Sequence, residues 1–444
     1  MLAATLDVHV ERAVAGGVML ARHEGRVVLV TGAIPGERVR VRVDRERRDV
    51  IHATTVEVLE PDADRRPSVG DPLCGGQAYR HIAYPRQCRL KAEVIRDALT
   101  RIGKLHFSSE IPVAPSEERG YRLRARLHLH PAARGLGFLR ERSHHVCNSA
   151  ETGQLSAATD AVVAELGRRI AARAVRSGTE ARRIEHIELA ENIAATERVV
   201  HYQLRRAVPR ATLEGWTPET GVTGVTVRVG DESRLRVVRG IPTVSDPVAV
   251  VTGDIAAPGS LARRAPSFFQ ANRYLLPTLV EGVRRRVPSG PVLDLYAGVG
   301  LFSIALAGAA HESTIAVERD PDAARDLRRN IEACGHAIRA EVCSVEDYLA
   351  SAPSPLAETV IVDPPRSGLS RAALDTLVRR RVHRVVYVSC DAATFARDLG
   401  RFRDHGYAVD NVAAFDLFPN TAHVEMVATL VGPGVTSGSA PRIP

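Results

Sequence analysis

The chain has almost no lysine, no apolar run approaching the ~18 residues of a membrane-spanning helix, no Cys-x-x-Cys pair, and no glycine-rich loop ending in Lys-Ser or Lys-Thr. Each absence excludes something. The N-terminus (Met1, Leu2, Ala3, Ala4, Thr5, Leu6, Asp7) lacks a basic stretch leading into an apolar core, so the sequence predicts neither a secretion signal nor a membrane span. A soluble protein retained inside the cell is the expectation. The six cysteines, at positions 74, 88, 147, 334, 343 and 390, make neither a zinc ribbon nor the dense framework of a small secreted domain, which points to a reducing cytoplasm. Without a phosphate-gripping loop, a nucleoside triphosphate is not the expected ligand. Arginine supplies nearly all of the positive charge, a preference that can follow genome composition, so only the net sign is informative. With 60 Lys plus Arg against 52 Asp plus Glu, the formal charge of +8 favours a polyanionic partner.

What is present divides into distinct textures. At 444 residues and 45% hydrophobic content, the chain exceeds the ~250–300 residues at which single cores stop growing, and two or three domains are expected. Over residues 1–60, short apolar runs broken by glycine (Val8 to Val10, Val18 to Leu20, Val27 to Val30, Val39 to Val43, Thr54 to Leu59) predict a small β-barrel. Pro61 to Pro72, with three prolines and mixed charge, reads as a linker. Residues 73–261 mix helical patterns over Tyr84 to Ile102 and Thr159 to Val175 with strand-like segments such as Arg122 to His130 and Ile187 to Ala190, giving an α+β central domain. Between 262 and 431, apolar runs at Val292 to Leu295, Thr314 to Val317, Ile338 to Val342, Val360 to Val362 and Val385 to Val388 alternate with helix-length polar stretches. That is the pattern of an α/β, Rossmann-like parallel sheet covered on both faces, which binds ligands beyond the carboxyl ends of its strands. The Gly-, Pro- and Ser-rich tail, 432–444, reads as disordered.

Three sheet-end motifs carry chemistry. Asp294-Leu295-Tyr296-Ala297-Gly298-Val299-Gly300 places an acid and then Gly-x-Gly after the first strand, where a backbone without Cβ atoms admits a ligand. Glu318 ends the second strand, where a carboxylate accepts hydrogen bonds from both hydroxyls of a ribose. Alone, each is an ordinary turn; in this order they suit an adenosine. Asp363-Pro364-Pro365-Arg366 closes the fourth strand, and Ser389-Cys390-Asp391 puts a thiol past the fifth, on the same edge. Asp391 by itself would raise that thiol, so its activation must come from elsewhere. Cys334 and Cys343 lie inside apolar patterns and read as packing groups. Near the end, His423 and Glu425 precede the terminal run Met426 to Val431. His423 is read equally well as a hydrogen-bonded structural residue, whereas a glutamate opening an apolar strand is harder to explain as surface.

The stretches SFFQANR, DLYAGVGLF, VERD, VDPPRSGL, VSCDAATFARDL and FDLFPNTAHVEMV together resemble the RNA (uracil-5-)-methyltransferase family, which modifies tRNA and 23S rRNA. The resemblance runs nearly end to end, and residues up to Leu59 are similar to the TRAM RNA-binding barrel. It implies S-adenosylmethionine as cofactor, Cys390 as the nucleophile that adds to carbon 6 of a uridine, and Glu425 as the base that removes the carbon 5 proton. It also implies cofactor-binding roles for Gln270, Tyr296, Gly298, Glu318 and Asp363. A basic barrel would then attract phosphates.

Two departures stand out. Many relatives hold an iron-sulfur cluster on four cysteines, but here Ser68 and Gln77 occupy two of the positions, leaving Cys74 and Cys147. No cluster and no other metal is expected, with Cys74, Cys88 and Cys147 as remnants or core residues. Cys343-Ser344 replaces an acid or amide near the adenine, which leaves that contact open. Whether the RNA is a tRNA or 23S rRNA is also open, and monomer is the default state. Two other readings remain at this point: an amino-group methyltransferase acting on RNA or protein, and a non-catalytic RNA-binding or ribosome-assembly protein.

Overall fold

Alternating burial along the first five strands closes them on themselves. In the computed structural model, which describes residues 4–434 apart from 69, 72, 108–109, 131–134, 141–142, 178–179, 308–312 and 354–355, these strands form a barrel of order β1-β2-β3-β5-β4. They are β1 (Thr5–Val14), β2 (Val18–His23), β3 (Arg26–Thr31), β4 (Arg38–Arg47) and β5 (Val50–Glu60). Val8, Val10, Val28, Val30, Val39 and Val41 point inward, and their neighbours along each strand point out. The expected linker is instead a strap: Arg65 donates to the buried Glu37 at 2.5 and 2.6 Å, and His81 bonds the Ala33 carbonyl. Of the tail, residues from 435 onward lie outside the described residues.

Helix α1 (Tyr84–Arg101) starts with proline in its first turn and buries one face. Leu90 on that face joins the barrel core, while Ile95, Ala98 and Leu99 join the core of the C-terminal sheet. The helix therefore fastens the two bodies together. The central seven-stranded sheet, from 236–240 through 224–229, 198–204, 184–191, 124–129 and 136–139 to 146–148, packs its apolar face on Ala157–Ser177 and Arg210–Trp216.

The C-terminal sheet has eight strands in the order 338–341, 314–317, 292–295, 359–362, 384–389, 425–431, 408–415 and 113–114. The first five are parallel to one another, and the runs expected from sequence lie in them. Leu293 and Leu295 face one hydrophobic core, Val292 and Ala316 the other, which is why these runs are continuous rather than alternating. Val113–Ala114 extends this sheet at its far edge, so α1 and the segment after it serve the C-terminal body although they precede the central sheet in the chain. Among the described residues no helix is long and apolar enough to cross a membrane.

Cys74 and Cys147 are joined as a disulfide, with Cα atoms 5.8 Å apart and a sequence separation of 73. The sequence reading of Cys74 and Cys147 as remnants or core residues did not include this bridge, because pairing depends on the 136–139 and 146–148 strands folding back beside residue 74, where Gly75 N–H bonds the Leu139 carbonyl. Cys88 is free and half-buried. Closing a loop of this size restricts the unfolded chain by about 4 kcal/mol in the chain-entropy account. Cys147→Ser should therefore lower the urea midpoint under non-reducing conditions, and in excess dithiothreitol it should unfold together with the wild type. An unchanged midpoint in the non-reducing arm would show that the bridge contributes nothing.

Candidate active site

The turn after Val292–Leu295 is left-handed at Tyr296 (φ 64°), Gly298 (φ 59°) and Gly300 (φ 93°). The two glycines have different reasons. A Cβ on Gly300 would lie 2.7 Å from a Leu327 methyl, so Gly300 is required by packing; a Cβ on Gly298 would meet nothing within 4 Å, so that position opens onto unfilled space. Asp294, fully buried, shapes the turn by accepting from Ser303 N–H at 3.0 Å and Ser303 Oγ at 2.5 Å. Burial lifts its carboxyl to about 7 against those two hydrogen bonds.

Glu318 follows Thr314–Val317 and accepts from the N–H groups of Gly298 (2.8 Å) and Asp320 (2.6 Å). Each oxygen keeps a lone pair for a ribose hydroxyl. Together with Tyr296, Ser344, Glu346 and Ser370 it lines a pocket of about 370 Å³. The open space at Gly298 and the anchored carboxylate of Glu318 fit the adenosine of S-adenosylmethionine. Ser344 caps the helix Val345–Ser351 by accepting from Asp347 N–H, and the acid at this end is Glu346, which sequence reading did not single out.

Next along the sheet edge, Asp363 follows Thr359–Val362 and accepts from Gln270 Nε2 at 3.4 Å. Desolvation in the crevice, then the nearby Asp294, raise Asp363 to about 7. Cys390 follows Arg384–Ser389. Antiparallel pairing sets Ser389 opposite Met426, and Cys390 and Glu425 adjoin that last pair of the ladder, one on each strand. Opposed residues in such ladders lie about 5 Å apart. The two groups expected to act together are thus neighbours, and Glu425 is 3% exposed.

That proximity shows in their protonation. Burial and then Glu425 push the Cys390 thiol up to about 11, with Arg366 acting in the opposite direction. Burial and then Asp363 raise Glu425 well above the ordinary carboxyl range, again opposed by Arg366. Asp391 is not the problem the sequence suggested: its carboxylate is turned into the helix Ala392–Asp404, accepting from the N–H groups of Ala393 (3.0 Å) and Thr394 (2.9 Å). The positive end of that helix dipole then lies next to Cys390.

Glu425 is placed by a loop that α1 grips from behind. Buried Lys91 bonds Asp416 at 2.5 Å and the Phe418 carbonyl at 3.2 Å, while Gln87 exchanges hydrogen bonds with Asn420, itself left-handed at φ 64°. Neither residue was legible as functional in the sequence, because each sits more than 300 positions from its partner. His423 stands on the pocket rim with part of its ring in solvent. Desolvation by its neighbours, then the cations Arg366, Lys91 and Arg122, hold it down at about 4, so it is a neutral wall rather than an acid.

One expectation is corrected. The barrel is not basic: between residues 5 and 60 nine arginines meet nine Asp and Glu. Several are paired, Arg40 with Asp7 and Glu57, Arg38 with Glu60, and Arg26 with Glu46. The donor set of the relatives' iron-sulfur cluster does not fit either, since a four-iron cube wants four thiolates and Cys74 and Cys147 are bonded to each other. Among the described residues no group of His, Cys, Asp and Glu side chains forms a metal site.

Comparisons with known proteins agree with this geometry. A family profile described as tRNA (Uracil-5-)-methyltransferase matches residues 351–431, the segment that holds Asp363, Cys390 and Glu425. An uncharacterized RNA methyltransferase of Thermosynechococcus vestitus is 31% identical over 451 residues, covering 96% of this chain and 98% of its own. A 23S rRNA (uracil(1939)-C(5))-methyltransferase of Alkalilimnicola ehrlichii is 31% identical over 435 residues, covering 92% of each. Among solved structures, the tRNA (uracil-54, C5)-methyltransferase of Pyrococcus abyssi, in complex with S-adenosyl-L-homocysteine, superposes with a TM-score of 0.75 at 25% identity, over 96% of this chain and 99% of that one. This chain belongs to the RNA (uracil-5-)-methyltransferase family, enzymes that depend on S-adenosylmethionine.

Proposed function

We propose that this enzyme methylates carbon 5 of a uridine, in a tRNA or 23S rRNA, through a covalent bond between Cys390 and carbon 6, with Glu425 as the base. The observation that carries the reading is the strand register that sets a half-buried thiol beside a buried carboxyl, at the same sheet edge as Gly298 and Glu318. An amino-group methyltransferase would have no use for that pair, and neither would a non-catalytic RNA binder.

Carbon 5 of uracil is a poor nucleophile. When the Cys390 sulfur bonds to carbon 6, the ring electrons move onto the carbonyl at carbon 4, and the resulting enolate is nucleophilic at carbon 5. S-adenosylmethionine supplies, when bound, a methyl group activated by a sulfonium. Glu425 then takes the proton left on carbon 5, the double bond re-forms, and the carbon–sulfur bond breaks. Glu318 holds the ribose, Tyr296 and Gly298 line its pocket, and Gln270 orients Asp363 toward the cofactor or the uracil edge. The target base must leave its stack, at a cost of a few kcal/mol that is smallest in loops and single strands.

Burial and Glu425 raise the thiol to about 11, burial and Asp363 raise the glutamate, and Arg366 is the cation that favours both anions. Each anion would gain from further positive charge in the crevice. We assign residues 1–60 to RNA contact, 73–261 to a central domain and 262–431 to catalysis, with α1 serving the last. We take the enzyme to act as a monomer in the cytoplasm.

Incubation with labelled S-adenosylmethionine and total RNA, followed by nucleoside analysis, should give 5-methyluridine; methylated guanosine or adenosine instead would discard the reading. Cys390→Ala should abolish the product while binding of S-adenosylhomocysteine stays within about twofold, because the cofactor pocket is built by other strands. Glu425→Gln should accumulate an RNA–protein adduct that survives denaturation and should stop tritium release from carbon 5 of labelled uridine. Release at the wild-type rate would remove Glu425 from the role of base. In the free enzyme, the pH midpoint of Cys390 alkylation, followed by peptide mass spectrometry, should rise in Arg366→Ala and fall in Glu425→Gln. Movement in the opposite direction in either variant would contradict the electrostatic assignment.

A further inference from the structure

The pocket that contains Cys390 encloses about 390 Å³, within the range of nucleotide-sized sites, and the C-terminal sheet supplies only part of it. Val14, Ala15 and Gly16 of the barrel's β1–β2 turn form one wall, facing Arg366, Cys390 and His423 across the opening. The turn is seated there by Gly17, whose missing Cβ would lie 3.2 Å from the Ala422 Cβ and 3.8 Å from the Ala78 Cβ. Gly16, left-handed at φ 89°, is different: a Cβ there would meet nothing within 4 Å. Gly17 is therefore needed for contact with the loop that leads into Glu425, whereas Gly16 opens onto the pocket itself. The barrel's charges balance and are largely paired with one another, so its contribution at this point is shape rather than phosphate attraction.

We infer that the Val14–Gly17 turn of the barrel is a wall of the nucleotide slot and a specificity-determining element of the reaction, against whose bare backbone at Gly16 the RNA strand entering with the target uridine is laid. This rests on the uridine reading above. A side chain at Gly16 would occupy the entrance without touching Cys390, Glu425 or the cofactor pocket, so the loss should fall on RNA alone.

Gly25 provides the matching control. It lies at the opposite end of β2, in the β2–β3 turn, is left-handed at φ 78°, and a Cβ there also meets open space, but it does not line the pocket. Asparagine tolerates left-handed backbone, so Gly16→Asn and Gly25→Asn carry the same local strain. Gly16→Asn should lose roughly tenfold to hundredfold in kcat/KM for RNA, as expected when a reacting group is displaced by about 1 Å, while KM for S-adenosylmethionine stays within about twofold and the melting temperature matches that of Gly25→Asn. Ala15→Gln, at an exposed position of the same turn with no strained backbone to disturb, should show the same RNA-specific loss even if Gly16→Asn fails to fold. Equal kcat/KM for RNA in Ala15→Gln, Gly25→Asn and the wild type would overturn the inference. A wild type that makes no 5-methyluridine would instead overturn the function on which it rests.

Discussion

The site depends on one constraint, the antiparallel pairing of Arg384–Ser389 with Glu425–Val431. It brings a thiol and a carboxyl close together at a sheet edge where little water reaches the carboxyl, and the low dielectric there disfavours both anions. A one-residue slip would turn Glu425 to the other face of the sheet and separate the pair. That slip is opposed by the apolar runs on both strands, which are buried on both faces. Packing energy thus holds a geometry that electrostatics alone would not maintain.

The carboxylate side of the pair is supported from outside the catalytic sheet. Helix α1 arrives early in the chain, yet its Gln87 and Lys91 hold the loop ahead of Glu425, and its Leu90 closes the barrel. Barrel, helix and the loop ahead of Glu425 therefore pack together around the Cys390 pocket. A buried ion pair such as Lys91 with Asp416 adds little net stability, but removing one partner strands the other charge, which makes it a strict positional constraint.

The distribution of charge corrects a simple reading of composition. A formal +8 suggested a basic barrel drawing in RNA, but the barrel's nine arginines are matched by nine acids. A cation that acts on both Cys390 and Glu425 is Arg366, supplied by the loop after Asp363. The central body departs in a similar way: the cysteine positions that hold a cluster in many relatives here hold a disulfide that ties residue 74 to the hairpin at 147.

Local pattern determined much of this protein. The strands at 292–295 and 314–317, the glycine turn, the acid ending the second strand, and the thiol past the fifth were legible because each depends on hydrophobic period or backbone freedom within a few residues. The motifs also carried the family. Tertiary structure alone decided what lies near what: Cys390 by Glu425, Lys91 on Asp416, Cys74 on Cys147, and the barrel turn on the pocket. These are contacts between segments tens to hundreds of residues apart, and their partners are selected by how whole layers pack, a quantity that no window of sequence contains.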